Sequence, residues 1–130
     1  MASWRWTRRR AGQIVLAGAL GALDHTLGHL AILWRLAERG VPARLVAPGL
    51  TAWVLVAPRE VTLDAAEGTR VSLVPLAGDA RVSLRGLEYP LEHGLLPGAA
   101  CLGLGNHVSS PPATIELHTG VVALLLSTGG

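Results

Sequence analysis

Phenylalanine is absent from the 130 residues, and cysteine, methionine and tyrosine occur once each. A single cysteine, Cys101, excludes a disulfide framework and a cysteine metal centre, and it fits a reducing cytoplasm. Only 15% of the side chains are charged and half are apolar, which excludes a disordered, self-solvating chain. The formal charge is +2, and the basic excess sits in Arg5, Arg8, Arg9 and Arg10. With no basic face elsewhere, nucleic acid is not an expected partner. No Gly-x-x-x-x-Gly-Lys cradle for phosphate is present. Gly18, Gly21 and Gly28 do not have the spacing of a dinucleotide fingerprint. The nine carboxylates are scattered, without an Asp-x-Asp pair for magnesium. The run Ile14–Leu23 is apolar apart from two glycines and follows the basic head, so it imitates a secretory signal. It is too short to span a bilayer, and "LDHT" is a poor cleavage site, so no membrane partner is expected. A buried parallel strand behind an irregular leader is the better reading.

Sixteen glycines and eight prolines imply many turns and short strands. The stretch "GALGALDHTLGHL" (18–30) is where a buried strand over 13–17 runs into a helix over 24–39. Asp24 is a good N-cap, because its carboxylate can accept from the free N–H groups of the first turn. Leu27, Leu30, Ala31, Trp34 and Ala37 form one apolar stripe at three- and four-residue steps. Gly40 stops the helix, and a second strand follows over 43–47. Strand, helix and strand make a βαβ unit of an α/β sheet.

After this unit the texture changes to short β-rich segments, and the chain divides near Pro58. Strands are expected over 51–57, 60–63, 69–76, 80–84, 114–118 and 121–126, separated by turns such as Gly78-Asp79 and Thr119-Gly120. The fold class is therefore α+β: a partial α/β unit followed by an antiparallel β-sandwich. The expected organisation is an irregular basic leader over 1–11, the α/β part over 12–58 and the sandwich over 59–130. One βαβ unit leaves sheet edges unpaired and a face uncovered, which calls for partner strands from another chain or for a chain shorter than its ancestor.

Three segments in order resemble the thiamine pyrophosphokinase family. "GALGALDHTLGHLAIL" is similar to its Gly-Gly-Arg-x-Asp-His helix start. "GLEYPLEHG" (86–94) is similar to its Gly-x-x-Tyr-Pro-Leu segment, and "GLGNH" (103–107) to its Gly-x-Ser-Asn-Glu segment. The resemblance covers about Gln13 to the end. It implies an α/β catalytic domain followed by a thiamine-binding β-sandwich, in a homodimer with active sites between the chains. The implied reaction transfers pyrophosphate from ATP to the thiamine hydroxyl, giving thiamine diphosphate and AMP, with Mg2+ held by acidic residues. Those acidic segments stand upstream of the Asp-His motif in the family, where this sequence has its arginine-rich leader. The alternative is a non-catalytic relative that binds thiamine or only dimerises.

By resemblance Asp24 is the catalytic candidate, at the metal–phosphate end, and His25 and Thr26 are substrate contacts beside it. Asn106 is the candidate for the aminopyrimidine ring. Gly105 stands where the family has serine, and His107 where it has glutamate. Each has a plainer role: Asp24 as a cap, Thr26 bonding within the first turn, Asn106 as a left-handed turn residue beside Gly105. His25 and His29 share a helix face at ligand spacing, but no third ligand accompanies them. Tyr89-Pro90 reads as a rigid turn with a buried ring, Trp53 as core, and Ser109–Pro112 as a covering loop or a stiff connection.

Overall fold

The computed structural model describes residues 5–8, 14–17, 23–98 and 103–127. The Gly18–Ala22 turn of the Asp-His motif and Cys101 lie outside them. Eleven strands and one helix run in the order β1 (Arg5–Arg8), β2 (Ile14–Ala17), α1 (Leu23–Glu38), β3 (Ala43–Ala47), β4 (Leu50–Val56), β5 (Arg59–Leu63), β6 (Arg70–Pro75), β7 (Ala80–Arg85), β8 (Leu91–Leu96), β9 (Asn106–His107), β10 (Ala113–Thr119) and β11 (Val121–Ser127).

The α+β reading holds. A seven-stranded sheet has the order β1-β2-β3-β4-β11-β6-β9, and a four-stranded sheet the order β5-β10-β7-β8. β2 and β3 are parallel, with α1 as their crossover, and the other ladders are antiparallel. Two expectations change. Arg5–Arg8, placed in an irregular leader, pairs with β2 and covers its free edge. The sequence boundary near Pro58 does not separate the sheets, because β11, the last strand, inserts between β4 and β6. The β2–β3–β4 ladder and the sandwich share one hydrogen-bonded layer.

Alternation along β4 explains how that layer serves two cores. Ala52 and Val54 point to α1 and pack with Leu33 and Leu45. Trp53 and Leu55 point the other way, into the sandwich. There Val71, Leu73, Val122 and Leu124 of the large sheet meet Val82, Leu84, Ile115 and Leu117 of the small one. The strands β6, β7, β10 and β11 are rich in Val, Leu and Ile because such side chains fill the space between facing sheets.

The helix presents a different stripe from the expected one. Leu33 and His29 are buried, whereas Leu27 and Ala31 are exposed. Leu27, Leu30, Leu33 and Leu36 place leucine on several sides of α1, so periodicity alone does not choose the packed side.

Candidate functional site

Asn106 organises the C-terminal end of the site. Gly105 turns the chain with φ +76°, a conformation suited to glycine, and its N–H donates to Ser72 Oγ at 3.3 Å. Asn106 follows as a buried strand residue, so the left-handed position falls to Gly105 and not to Asn106. Its Oδ1 accepts from the N–H groups of Tyr89 and His107, both at 3.0 Å, and its Nδ2 donates to the Tyr89 carbonyl at 2.9 Å. This pattern fixes which end of the amide is oxygen. The acceptor capacity of Oδ1 is spent, while Nδ2 keeps a second hydrogen. The one hydrogen-bonding capacity Asn106 keeps free is therefore a donor.

The clamp joins segments far apart in sequence. The Glu88 N–H donates to the His107 carbonyl at 2.9 Å, and His107 Nδ1 lies 3.3 Å from Glu88 Oε2. The Gly86 carbonyl accepts from Ser109 and Ser110 at 2.8 and 3.1 Å. A Cβ at position 86 would fall 2.7 Å from the Ser110 oxygen, so only glycine lets these backbones approach. The 86–94 and 103–107 motifs thus meet in space, with 109–112 tied to the same turn. The ring of Tyr89 stands out at 63% exposure, contrary to the buried ring expected; its backbone, not its ring, is held.

At the other end of the site, Asp24 is the second residue of α1, within its first turn and not at the cap. Its Oδ1 accepts from the His25 N–H at 2.9 Å. The carboxylate is exposed, and His25 and Thr26 are half-buried beside it. His29 is buried. No group of three or more His, Cys, Asp or Glu among the described residues has the geometry to hold a metal ion.

Sheet register relates the two ends. Ala17 pairs with Val46, Val46 with Thr51, Thr51 with Leu126, Leu126 with Val71, and Val71 with Asn106. That row crosses the carboxyl ends of β2 and β3, which α/β sheets turn toward ligands. The Asp24 helix start and Asn106 therefore share one end of the sheet. From β2 to β9 are five strand spacings, roughly 24 Å on a flat sheet. They also lie on opposite faces: α1 covers one, and Asn106 pairs with Val71, whose side chain faces the sandwich. The structure brings Gly105, Asn106 and His107 together, and Asp24, His25 and Thr26 together, but the two groups do not converge within one chain.

Between them, at the mouth of the sandwich, a cleft of ≈ 470 Å³ is lined by Leu50, Thr51, Asp64, Thr69 and Leu126 among others. Sequence reading missed these residues. They come from β4, β11 and the loop between β5 and β6, and no local motif marks their meeting.

This architecture defines a class: a sandwich domain with a ligand-sized mouth, its large sheet extended by a βαβ unit. Residues 59–122 match the family model described as thiamin pyrophosphokinase, vitamin B1 binding domain. No curated protein matches the chain by sequence. Solved structures that resemble it include the thiamine pyrophosphokinase of Bacillus subtilis, with TM-score 0.84 and 22% identity, covering 92% of this chain and 57% of that one. That of Geobacillus thermodenitrificans gives TM-score 0.81 and 25% identity, covering 94% and 57%. That of Candida albicans gives 0.75 and 15%, covering 88% and 44%. The chain thus spans little more than half the length of these bacterial relatives. Residues 59–122 are thus similar to the vitamin B1 binding domain of thiamin pyrophosphokinases, within a fold like that of part of those proteins.

Proposed function

We propose that this chain recognises thiamine through its sandwich and acts as the thiamine-binding portion of a thiamine diphosphokinase. The family match over 59–122, falling on the segments that Asn106 clamps together, carries this reading. In the proposed reaction the thiamine hydroxyl oxygen bonds to the β-phosphorus of ATP as the bond between that phosphorus and the α,β-bridging oxygen breaks. AMP leaves and the hydroxyl proton passes to solvent.

Asn106 is assigned the aminopyrimidine ring, donating its second Nδ2 hydrogen to a ring nitrogen. Gly105 and His107 border that contact. Asp24, His25 and Thr26 are assigned the phosphate end, where the exposed amide groups of a helix start favour anions. Because the two groups lie on opposite faces of one sheet, a site that uses both takes them from two copies, which supports a homodimer. Magnesium would neutralise the triphosphate, yet the described residues do not fit a magnesium site: Asp24 supplies one exposed carboxylate and no cluster surrounds it. No step is therefore assigned to the metal here. No described helix is long and apolar enough to cross a membrane. We place the protein in the cytoplasm, where its single cysteine suits a reducing medium.

Two measurements test this. Calorimetry with thiamine should show saturable binding, and its absence would remove the assignment. AMP release from ATP that depends on both thiamine and magnesium distinguishes an enzyme from the second reading, a non-catalytic thiamine-binding relative.

A further inference from the structure

The cleft at the sandwich mouth holds a carboxylate without an ion-pair partner among the described residues, whereas Glu88 at the clamp lies 3.3 Å from His107. Of the residues that line it, only Asp64 is charged. Its carboxylate is exposed, and none of the salt bridges among the described residues involves it. Leu50, Leu126 and Ala47 give apolar walls, and Thr51 and Thr69 add hydroxyl groups. Arg59 stands at the opposite end of β5, and Arg70 lies on the far side of its strand: Val71 faces the sandwich, so Arg70 points away, paired with His107. The cleft therefore keeps an uncompensated negative charge beside apolar surface. Such a surface suits a flat organic cation, whose ring packs on the leucines while its charge meets the carboxylate.

The position also fits. Thr51 and Leu126 stand in the same cross-strand row as Asn106. Leu126 to Asn106 is two strand spacings, roughly 10 Å, which a two-ring molecule can bridge. The Thr69 carbonyl accepts the Val108 N–H at 2.9 Å, so the cleft wall is tied directly to the segment bearing Asn106.

We propose that Asp64 is the counter-charge for the cationic ring of the ligand, and that it makes this site prefer a thiazolium over a neutral ring of the same shape. The assignment rests on the thiamine reading above. The test is calorimetry on the full chain with thiamine and with its neutral isostere, in which the charged ring nitrogen is replaced by carbon. The wild type should bind thiamine about fivefold more tightly, the scale of one partly screened charge contact. Asp64→Asn should erase that preference with an unchanged melting temperature. Glu67→Gln, in the same loop but outside the cleft lining, should retain it. Equal binding of both ligands by the wild type, or a preference that survives Asp64→Asn, overturns the role of Asp64 while thiamine binding stands. No binding of either ligand by the wild type overturns both readings together.

Discussion

The helix-side layer and the sandwich differ in how much core stands behind their candidate residues. Among the residues whose burial is described, five buried side chains, Ile14, Leu33, Leu45, Ala52 and Val54, form the helix-side cluster, whereas fifteen form the sandwich cluster. The difference extends to the site. Asn106 is buried and held by three hydrogen bonds, while Asp24 is exposed and bonded to its own neighbour. On the proposed assignment, ring recognition would use the donor that the larger core holds in place, and a carboxylate meeting a polyphosphate would need less support.

Equal deletions should have unequal reach. Ile115→Ala removes a side chain with 0% exposure from the centre of the sandwich. A loss of about 3–5 kcal/mol is expected, seen as a large fall in melting temperature with loss of all protection from hydrogen exchange. Leu33→Ala, at 1% exposure, removes similar volume from the smaller cluster. Its cost should be about 2–4 kcal/mol, with exchange rising first in α1 and β3 while β7 and β10 stay protected. Simultaneous loss in both layers would show that the shared sheet makes them one cooperative unit.

Gly86→Ala tests the backbone junction beneath the clamp. The residue has φ +76°, and its new Cβ would meet the carbonyls of Ser110 and Pro112 and the Cα of Ala113. A cost of about 2–3 kcal/mol is expected from denaturant unfolding. Thiamine affinity should fall as well, since the 86–90 turn is what Asn106 grips. Affinity unchanged beside a lowered midpoint would detach this turn from recognition.

Asn106→Ala leaves the Tyr89 N–H and carbonyl without their partner and should cost about 1–3 kcal/mol. Asn106→Asp is the sharper variant. It keeps the two acceptor bonds to N–H groups and replaces the only donor with an oxygen facing the Tyr89 carbonyl. If Asn106 contacts the ring as a donor, thiamine affinity should drop about tenfold in both variants. If its role is only to hold the turn, affinity should follow stability instead.

How far the sequence could be read follows the range of each interaction. β3 agreed residue for residue because a short segment bounded by Pro42 and Pro48, apolar apart from Arg44, has few alternatives. β8 was missed because "LEHGLL" carries glycine and two ionisable groups, and its pairing with β7 includes a register shift. The Gly105-Asn106-His107 segment was legible as a motif. Its bonds to Tyr89 were not, because they join positions 17 residues apart by side chain to backbone. Asp64 left no local signal, since the cleft exists only once β4, β11 and the 64–69 loop come together. The buried stripe of α1 was misplaced for a simpler reason: a helix with leucine at 27, 30, 33 and 36 does not encode one packed side.

The smallest expected stability effect belongs to Asp24→Ala. The carboxylate sits in the first turn, where the helix dipole favours negative charge, and it accepts one exposed N–H bond. An exposed carboxylate at a helix start contributes about 0.3–1 kcal/mol, so the melting temperature should move by only a few degrees. The informative quantity is the contrast with Asn106. Thiamine affinity should be unchanged in Asp24→Ala, because this residue is assigned to the phosphate end, whereas any thiamine-dependent AMP release should fall at least tenfold. A loss of thiamine affinity equal to that of Asn106→Ala would instead place Asp24 beside the ring. That result would require the partner copy to bring the helix start across to the sandwich mouth, since one chain leaves them on opposite faces of the sheet.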